Sequence, residues 1–300
     1  MSISSVSVDS LQRTILHEAT VAIPAGAGEF VQGQLVTGED FLVTNPVACF
    51  ATIRVGVTEG TGLVRVSPVT CQKVYQAVKQ TLCLLEVSER DVHVQVTSAI
   101  PTGKGMASST ADIVGAIEAT ARALGHSVSA EFVSTIAIAI EPSDGLMYRG
   151  IVAYNHRRGR ILEHFGSAPR IHQLIVDTGG EIDTIAFNEI PKHYTREELG
   201  IQARALDLMR SGLTNSDIAK IGEAATLSAM VNQRLLPKAN FAEIVSLAHS
   251  FGACGVVCAH SGTILSLLFA PENVSGIEQA QVAMCRKNYA VRLTHSIMNW

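Results

Sequence analysis

Hydrophobic and polar positions alternate with period two over the first half of this chain and shift to helical spacing at well-marked points. Val47-Ala48-Cys49-Phe50-Ala51-Thr52-Ile53 and Leu63-Val64-Arg65-Val66 read as strands, and Cys71 to Leu85 reads as a helix. Val92-His93-Val94-Gln95-Val96 alternates strictly and predicts another strand. Beyond it, Ile113, Ile117, Thr120, Ala121 and Leu124 recur at helical spacing until Gly125 supplies a stop. Phe132 to Ile140 is an apolar helix. Ile151-Val152-Ala153-Tyr154 and Ile161-Leu162 flank the basic run His156-Arg157-Arg158-Gly159-Arg160, which fits a solvated hairpin turn.

Past about residue 165 the pattern changes. Leu174-Ile175-Val176 predicts a strand, and three helices follow over Arg196 to Arg210, Ser216 to Arg234 and Phe241 to Phe251. Strands at 254–259 and 264–269, a helix from Glu272 to Lys287 and a last strand at Val291-Arg292-Leu293 complete an α+β order. No repeat or low-complexity linker divides the chain, so two lobes sharing an interface are expected: residues 1–165, rich in strands, and residues 166–300.

Between the strand ending near Val96 and the helix that follows lies Pro101-Thr102-Gly103-Lys104-Gly105-Met106-Ala107-Ser108-Ser109-Thr110-Ala111. Gly103 and Gly105 permit backbone angles that let successive N–H groups point into one concavity, a nest for anionic oxygens. The positive end of the helix dipole adds to the attraction for phosphate. Ser109 followed three residues later by Asp112 predicts a side-chain cap on this helix. A Walker loop fits poorly, because Gly rather than Ser or Thr follows Gly103-Lys104, and the dinucleotide fingerprint lacks its last glycine. A plain strand-to-helix turn needs the same glycines, so the loop alone leaves both readings open.

Two further segments bear on the choice. Ile23-Pro24-Ala25-Gly26-Ala27-Gly28-Glu29-Phe30-Val31-Gln32-Gly33 is a Pro-initiated, Gly-rich segment near the start, and Gly252-Ala253-Cys254-Gly255 with Ala259-His260-Ser261-Gly262-Thr263 forms a late one. With Pro101, Gly105 and Ser108-Ser109 between them, the chain resembles the GHMP kinase superfamily from about residue 20 to its end, with Thr110 where the family usually has Ala. The first motif implied by that resemblance is a turn. The late motif carries fewer glycines than the family usually shows. The Gly-Glu-x-x-Gln-Gly segment, Glu141-Pro142-Ser143-Asp144-Gly145 and Ala259-His260-Ser261-Gly262-Thr263 look most like the branch that phosphorylates L-threonine in cobalamin assimilation.

The resemblance implies a two-lobed fold with a ferredoxin-like C-terminal lobe and an active site in the cleft between the lobes. It implies ATP and Mg²⁺, with the phosphates cradled by Pro101, Gly103, Lys104, Gly105, Met106, Ala107, Ser108 and Ser109. Ser109 and Glu141 match the family's metal ligands, and Asp144 matches its catalytic aspartate, which would orient the acceptor alcohol or take its proton. Each has a bland counterpart: helix capping for the serines, an exposed ion pair for Glu141, an Asx-turn for Asp144. Glu118 and Glu131 are weaker candidates for the metal. Lys104 would meet a phosphate oxygen as a point charge, or simply face solvent. An amino-acid acceptor needs partners for its ammonium and carboxylate, for which Glu29, Gln32 and Gly262 are candidates, with turn stabilisation as the alternative. Other alcohol kinases of the superfamily, homoserine kinase among them, and a non-catalytic nucleotide-binding protein of the same fold remain competing readings.

Composition narrows the class. At 300 residues and 47% hydrophobic content the chain can bury a large core, and a net charge of −4 without a long basic stripe argues against nucleic acid. Six cysteines without a Cys-x-x-Cys pair read as reduced thiols of a cytoplasmic protein. Met1 to Ser10 shows no signal-peptide pattern, and no apolar run is long enough to span a membrane. Leu11, Ile15 and Leu16 form a short apolar face, either a partner-docking helix or a packed first strand. The histidines are scattered and give no metal motif. A homodimer and association with a microcompartment stay open.

Overall fold

A computed structural model describes residues 16–182, 187 and 189–297. Leu11 and Ile15 lie outside the described residues. Leu16 is exposed and donates its N–H to the Val57 carbonyl, extending the first strand pair.

The N-terminal part is built on two long antiparallel strands, β1 (His17–Gln34) and β2 (Asp40–Glu59). β3 (Val64–Ser67) crosses over through α1 (Gln72–Leu84) to lie parallel to β4 (Arg90–Ser98), which pairs with β2. α2 (Ser108–Ala123) packs against β1 and β2, and α3 (Ala130–Ile140) leads to the hairpin β5 (Ile151–Asn155) and β6 (Arg160–Gly166). α2 is rich in Ala and fully buried along Ile113, Val114, Ala116 and Ile117; at Gly115 an added Cβ would press on Ile53, so the helix lies close to the sheet.

The C-terminal part runs β7 (His172–Asp177), α4 (Arg196–Asn215), α5 (Ile218–Leu235), α6 (Phe241–Ser250), β8 (Gly255–Cys258), β9 (Ile264–Phe269), α7 (Val274–Arg286) and β10 (Ala290–His295). α4 opens with a capping box between Thr195 and Glu198, and α5 is capped by Asp217. The sheet order β10-β7-β9-β8 is the 4-1-3-2 arrangement of a split β-α-β, ferredoxin-like unit.

The two parts share one ten-stranded sheet, ordered β10-β7-β9-β8-β1-β2-β4-β3 with the β5–β6 hairpin branching from β2. At the seam a bridge joins Val47 of β2 to Ser296, and β1 and β8 meet at one pair, Glu29 opposite Cys258. Gly28, at φ +76°, makes that approach feasible: an added Cβ would lie 2.7 Å from the Cys258 carbonyl carbon. Here the sequence expectation is corrected. The Pro24–Gly33 segment is not a turn but the second half of β1, interrupted by register shifts at Pro24/Ala25, Gly26/Glu29 and Glu29/Val31. Its glycines serve bulges that bend the strand onto the second sheet half.

Candidate functional site

The loop between β4 and α2 bends through Gly103 (φ +70°), Gly105 (φ +80°) and Ala107 (φ +57°), and α2 starts at Ser108. The expected cap by Ser109 is absent. Ala107 holds the N-cap position in the left-handed region, and no side chain caps the first turn. Ser109 lies inside the helix, where its hydroxyl donates to Glu141 Oε1 instead. The first-turn amides therefore stay open to an anion, which suits phosphate better than a capped helix would.

Thr102, Gly103, Gly105, Met106, Ala107, Ser108, Ser109 and Thr110 line a cavity of about 540 Å³. Pro101 and Lys104 are not in its wall. Lys104 turns outward, with Nζ 2.9 Å from Asp177 Oδ2 and 2.7 Å from the Gly180 carbonyl, so the expected phosphate contact by its ammonium is corrected. Its backbone carbonyl accepts from the N–H groups of Thr263 and Ile264. That bond joins the loop to the late Gly-rich turn. Gly262 belongs to this brace and not to the cavity wall: an added Cβ would overlap the Lys104 carbonyl and the Gly105 nitrogen. Gly255 packs on the backbone of Gly222 in α5, away from the cavity. Of the late turn, His260 and Ser261 reach the wall.

Glu141 ends α3 in an extended conformation and is buried. Ser109 binds one of its oxygens, and Lys73 of α1 reaches the other at 2.6 Å. Asp112, one helical turn after Ser108, also faces the cavity; burial pushes its carboxyl up to about 6, and its Oδ1 has no hydrogen-bond partner among the described residues. Glu118 is not in the wall.

Asp144 lies in the same wall and is held by Thr110, whose hydroxyl donates to Oδ2 at 3.1 Å and accepts from the Asp144 N–H at 3.2 Å. Burial raises its pKa, and the Thr110 bond works against that rise. Glu29, 4% exposed, faces Asp144; burial and then the Asp144 charge push its carboxyl well above the ordinary range. Its Oε2 has no hydrogen-bond partner among the described residues. The β1 bulges and the Thr110–Asp144 bonds thus set two carboxyl groups beside the amide loop.

Gln32 does not meet the cavity, which corrects its expected contact with substrate. Its Nε2 donates to the Cys258 carbonyl at 3.2 Å, and its Oε1 accepts from Asn232 at 2.8 Å and lies 2.7 Å from His260 Nδ1. The amide is spent on fixing the seam and the His260 ring.

Lys73, Thr110 and His156 were missed by sequence reasoning. Lys73 sits on an amphipathic helix with nothing to single it out, and His156 reads as part of a solvated basic turn although it is 3% exposed. Thr110 did carry a signal, as the residue that replaces the usual Ala.

A family model for the GHMP kinases N terminal domain matches residues 70–148, the span that carries α1, the amide loop, Glu141 and Asp144. An L-threonine kinase of Citrobacter freundii is 31% identical over 256 residues, covering 83% of this chain and 86% of that protein. An L-threonine kinase of Salmonella typhimurium is 30% identical over 251 residues, covering 83% and 82%. In fold, the chain is similar to homoserine kinase from Cytophaga hutchinsonii (TM-score 0.73, 19% identity, 96% of each chain). It is also similar to mevalonate kinase from Methanococcus jannaschii (TM-score 0.72, 13% identity, 96% and 99%).

Proposed function

This chain belongs to the GHMP kinase family, and from that premise we propose that its acceptor is the side-chain hydroxyl of L-threonine, converted to O-phospho-L-threonine. Family membership makes it an ATP-dependent small-molecule kinase. The product would feed the aminopropanol linker of cobalamin.

One observation carries the reading: the buried carboxyl groups of Glu29 and Asp144 line the same cavity as the uncapped amides of Ser108 to Thr110. Phosphoryl transfer asks mainly for positioning and charge neutralisation. The triphosphate would lie on the loop amides and the helix N-terminus. The acceptor oxygen would attack the γ-phosphorus while the bond to the β–γ bridging oxygen breaks, leaving ADP. Asp144, whose pKa burial raises and which Thr110 holds, would take the hydroxyl proton as that bond forms. Glu29 Oε2 has no hydrogen-bond partner among the described residues; an amino-acid ammonium would satisfy it and favour the charged carboxylate against the rise that burial and Asp144 impose.

Ser109 and Glu141 would hold Mg²⁺. Their contact through a single hydrogen bond supplies a hydroxyl and a carboxylate in one place, and hard oxygens suit this ion. No group of three His, Cys, Asp or Glu able to hold a metal occurs among the described residues, consistent with an ion that is completed by nucleotide oxygens and water. Bound there, the ion would neutralise phosphate charge. Lys73, bonded to the other Glu141 oxygen, would keep that carboxylate oriented. Among the described residues no helix is long and apolar enough to cross a membrane.

Mass spectrometry after incubation with ATP, Mg²⁺ and a mixture of threonine, serine, homoserine and mevalonate tests the reading. A phosphorylated threonine peak is expected. Phosphorylation of homoserine or mevalonate alone would reassign the acceptor, and ADP-free mixtures in every case would remove the kinase activity.

A further inference from the structure

His156 lines the cavity, is 3% exposed, and neither of its ring nitrogens has a hydrogen-bond partner among the described residues. Its backbone carbonyl accepts from the Ser143 N–H at 3.2 Å, which fixes it beside the segment that carries Asp144. A buried imidazole left unpaired is costly, and the fold does nothing with this one.

What stands behind it explains the choice of residue. The His260 ring lies 5.3 Å away, edge to face, and is fully engaged. Gln32 Oε1 is an acceptor, so the His260 proton sits on Nδ1, and Nε2 accepts from Lys192 Nζ at 2.7 Å. Lys192 also stands 4.5 Å from the centre of the Phe187 ring, which packs edge-on to His260. Burial, then the Lys192 and Arg157 charges, hold His156 neutral, its pKa brought down to about 3. Burial likewise lowers Lys192 to about 8, and Asp40, which pairs with Arg157 at 3.1 Å, opposes that fall. The cavity wall therefore holds a neutral imidazole whose buried N–H has no partner among the described residues, in the field of a buried ammonium. Such a pair attracts an anion: the ammonium supplies potential, and the ring supplies direction.

We propose that His156, backed by Lys192 through the locked His260 ring, receives the α-carboxylate of the acceptor amino acid. The proposal rests on the reading of the acceptor as L-threonine, with Glu29 taking its ammonium. His156 is then a specificity-determining residue in contact with substrate, and Lys192 and Gln32 are positioning residues. The arrangement selects amino acids over plain alcohols, since an acceptor without a carboxylate leaves the donor unpaired.

The test compares kcat/KM for L-threonine and for L-threoninol, in which the carboxylate is replaced by a hydroxymethyl group, in wild type, His156→Phe, His156→Gln and Lys192→Met. The wild type is expected to prefer threonine by about 100-fold or more, a floor below the roughly 10⁴–10⁵ of a site built to bond a missing group, because threoninol keeps a hydroxyl at that position. His156→Phe and Lys192→Met should each cut that preference at least about tenfold with the KM for ATP unchanged, and His156→Gln, which keeps a donor, should restore most of it. An unchanged preference in folded His156→Phe and Lys192→Met proteins overturns the proposal, as does a change confined to the KM for ATP, which would place the anion on the nucleotide. A wild type that phosphorylates neither compound but accepts another alcohol defeats the acceptor reading itself. Lys192→Met keeps the question answerable if His156→Phe does not fold.

Discussion

Replacing Thr110 by Val keeps the branched shape of a side chain packed in α2 but deletes a hydroxyl that makes two bonds to one residue. In the wild type that hydroxyl donates to Asp144 Oδ2 at 3.1 Å and accepts from the Asp144 N–H at 3.2 Å. The variant leaves a buried carboxylate oxygen and a backbone N–H without these partners. The bond to the carboxylate alone contributes about 1.5–3 kcal/mol, which is about 10- to 150-fold if all of that loss appears in the transition state. We expect kcat to fall about tenfold, because part of the loss appears in folding stability instead. KM for ATP should stay within about twofold, since the amide loop and the Ser109–Glu141 bond do not pass through Thr110. The Thr110 donor also works against the rise that burial imposes on Asp144, so its removal raises that pKa further and moves the acid limb of the kcat profile to higher pH. Steady-state kinetics across pH, with thermal melting to verify folding, is the assay, and Thr110→Ser should recover the wild-type values. A folded Thr110→Val enzyme with unchanged kcat and an unmoved acid limb would refute the argument that this hydroxyl positions Asp144.

Other outcomes follow from the same site. Asp144→Asn should lower kcat about 10²-fold or more while the protein melts near the wild type; near-normal turnover would remove it as proton acceptor. Gly262→Ala should destabilise by about 1–3 kcal/mol and raise KM for ATP, because the new methyl group displaces the loop backbone at Lys104 and Gly105; a variant that melts normally and binds ATP normally contradicts the brace. Asp112 has a folded pKa of about 6 against an ordinary 3.8, so the native state holds its proton more tightly and stability is lost as pH rises through that window. In metal-free buffer, Asp112→Asn should therefore gain melting temperature relative to wild type between about pH 4 and 6 and keep the gain above it, whereas a pH-independent difference would show that Asp112 is not the titrating group.

Much of the chain's design can be read along the sequence, for a definite reason. Period two at Val92–Val96 and helical spacing from Ile113 to Leu124 report which face is buried, and burial of these local patterns is what forms β4 and α2. The same holds for α4 to α7 and β7 to β10, whose order already implied an α+β unit. Local turn chemistry was legible where it acts locally, as in Gly125 at φ +80° after α2. It misled where a distant segment decides. Ser109 followed by Asp112 reads as a cap, but Glu141, thirty-two residues on, takes the Ser109 hydroxyl, and Ala107 turns the chain instead. The family resemblance implied a turn at Pro24 to Gly33, yet pairing with β2 and the approach of Cys258 draw it out as a bulged strand.

The sequence by itself determined most of the strands and helices and the Gly-rich loop that opens α2, and the family resemblance grouped Ser109, Glu141 and Asp144. Only the tertiary structure decided what each side chain faces: Lys104 outward to Asp177, Gln32 inward to His260, Thr110 onto Asp144, and His156 in the cavity wall, its buried ring nitrogens without a partner among the described residues. The physical reason is that backbone preference and hydrophobic period act over a few residues, whereas hydrogen-bond partners and desolvation are set by groups that meet only after the chain has folded.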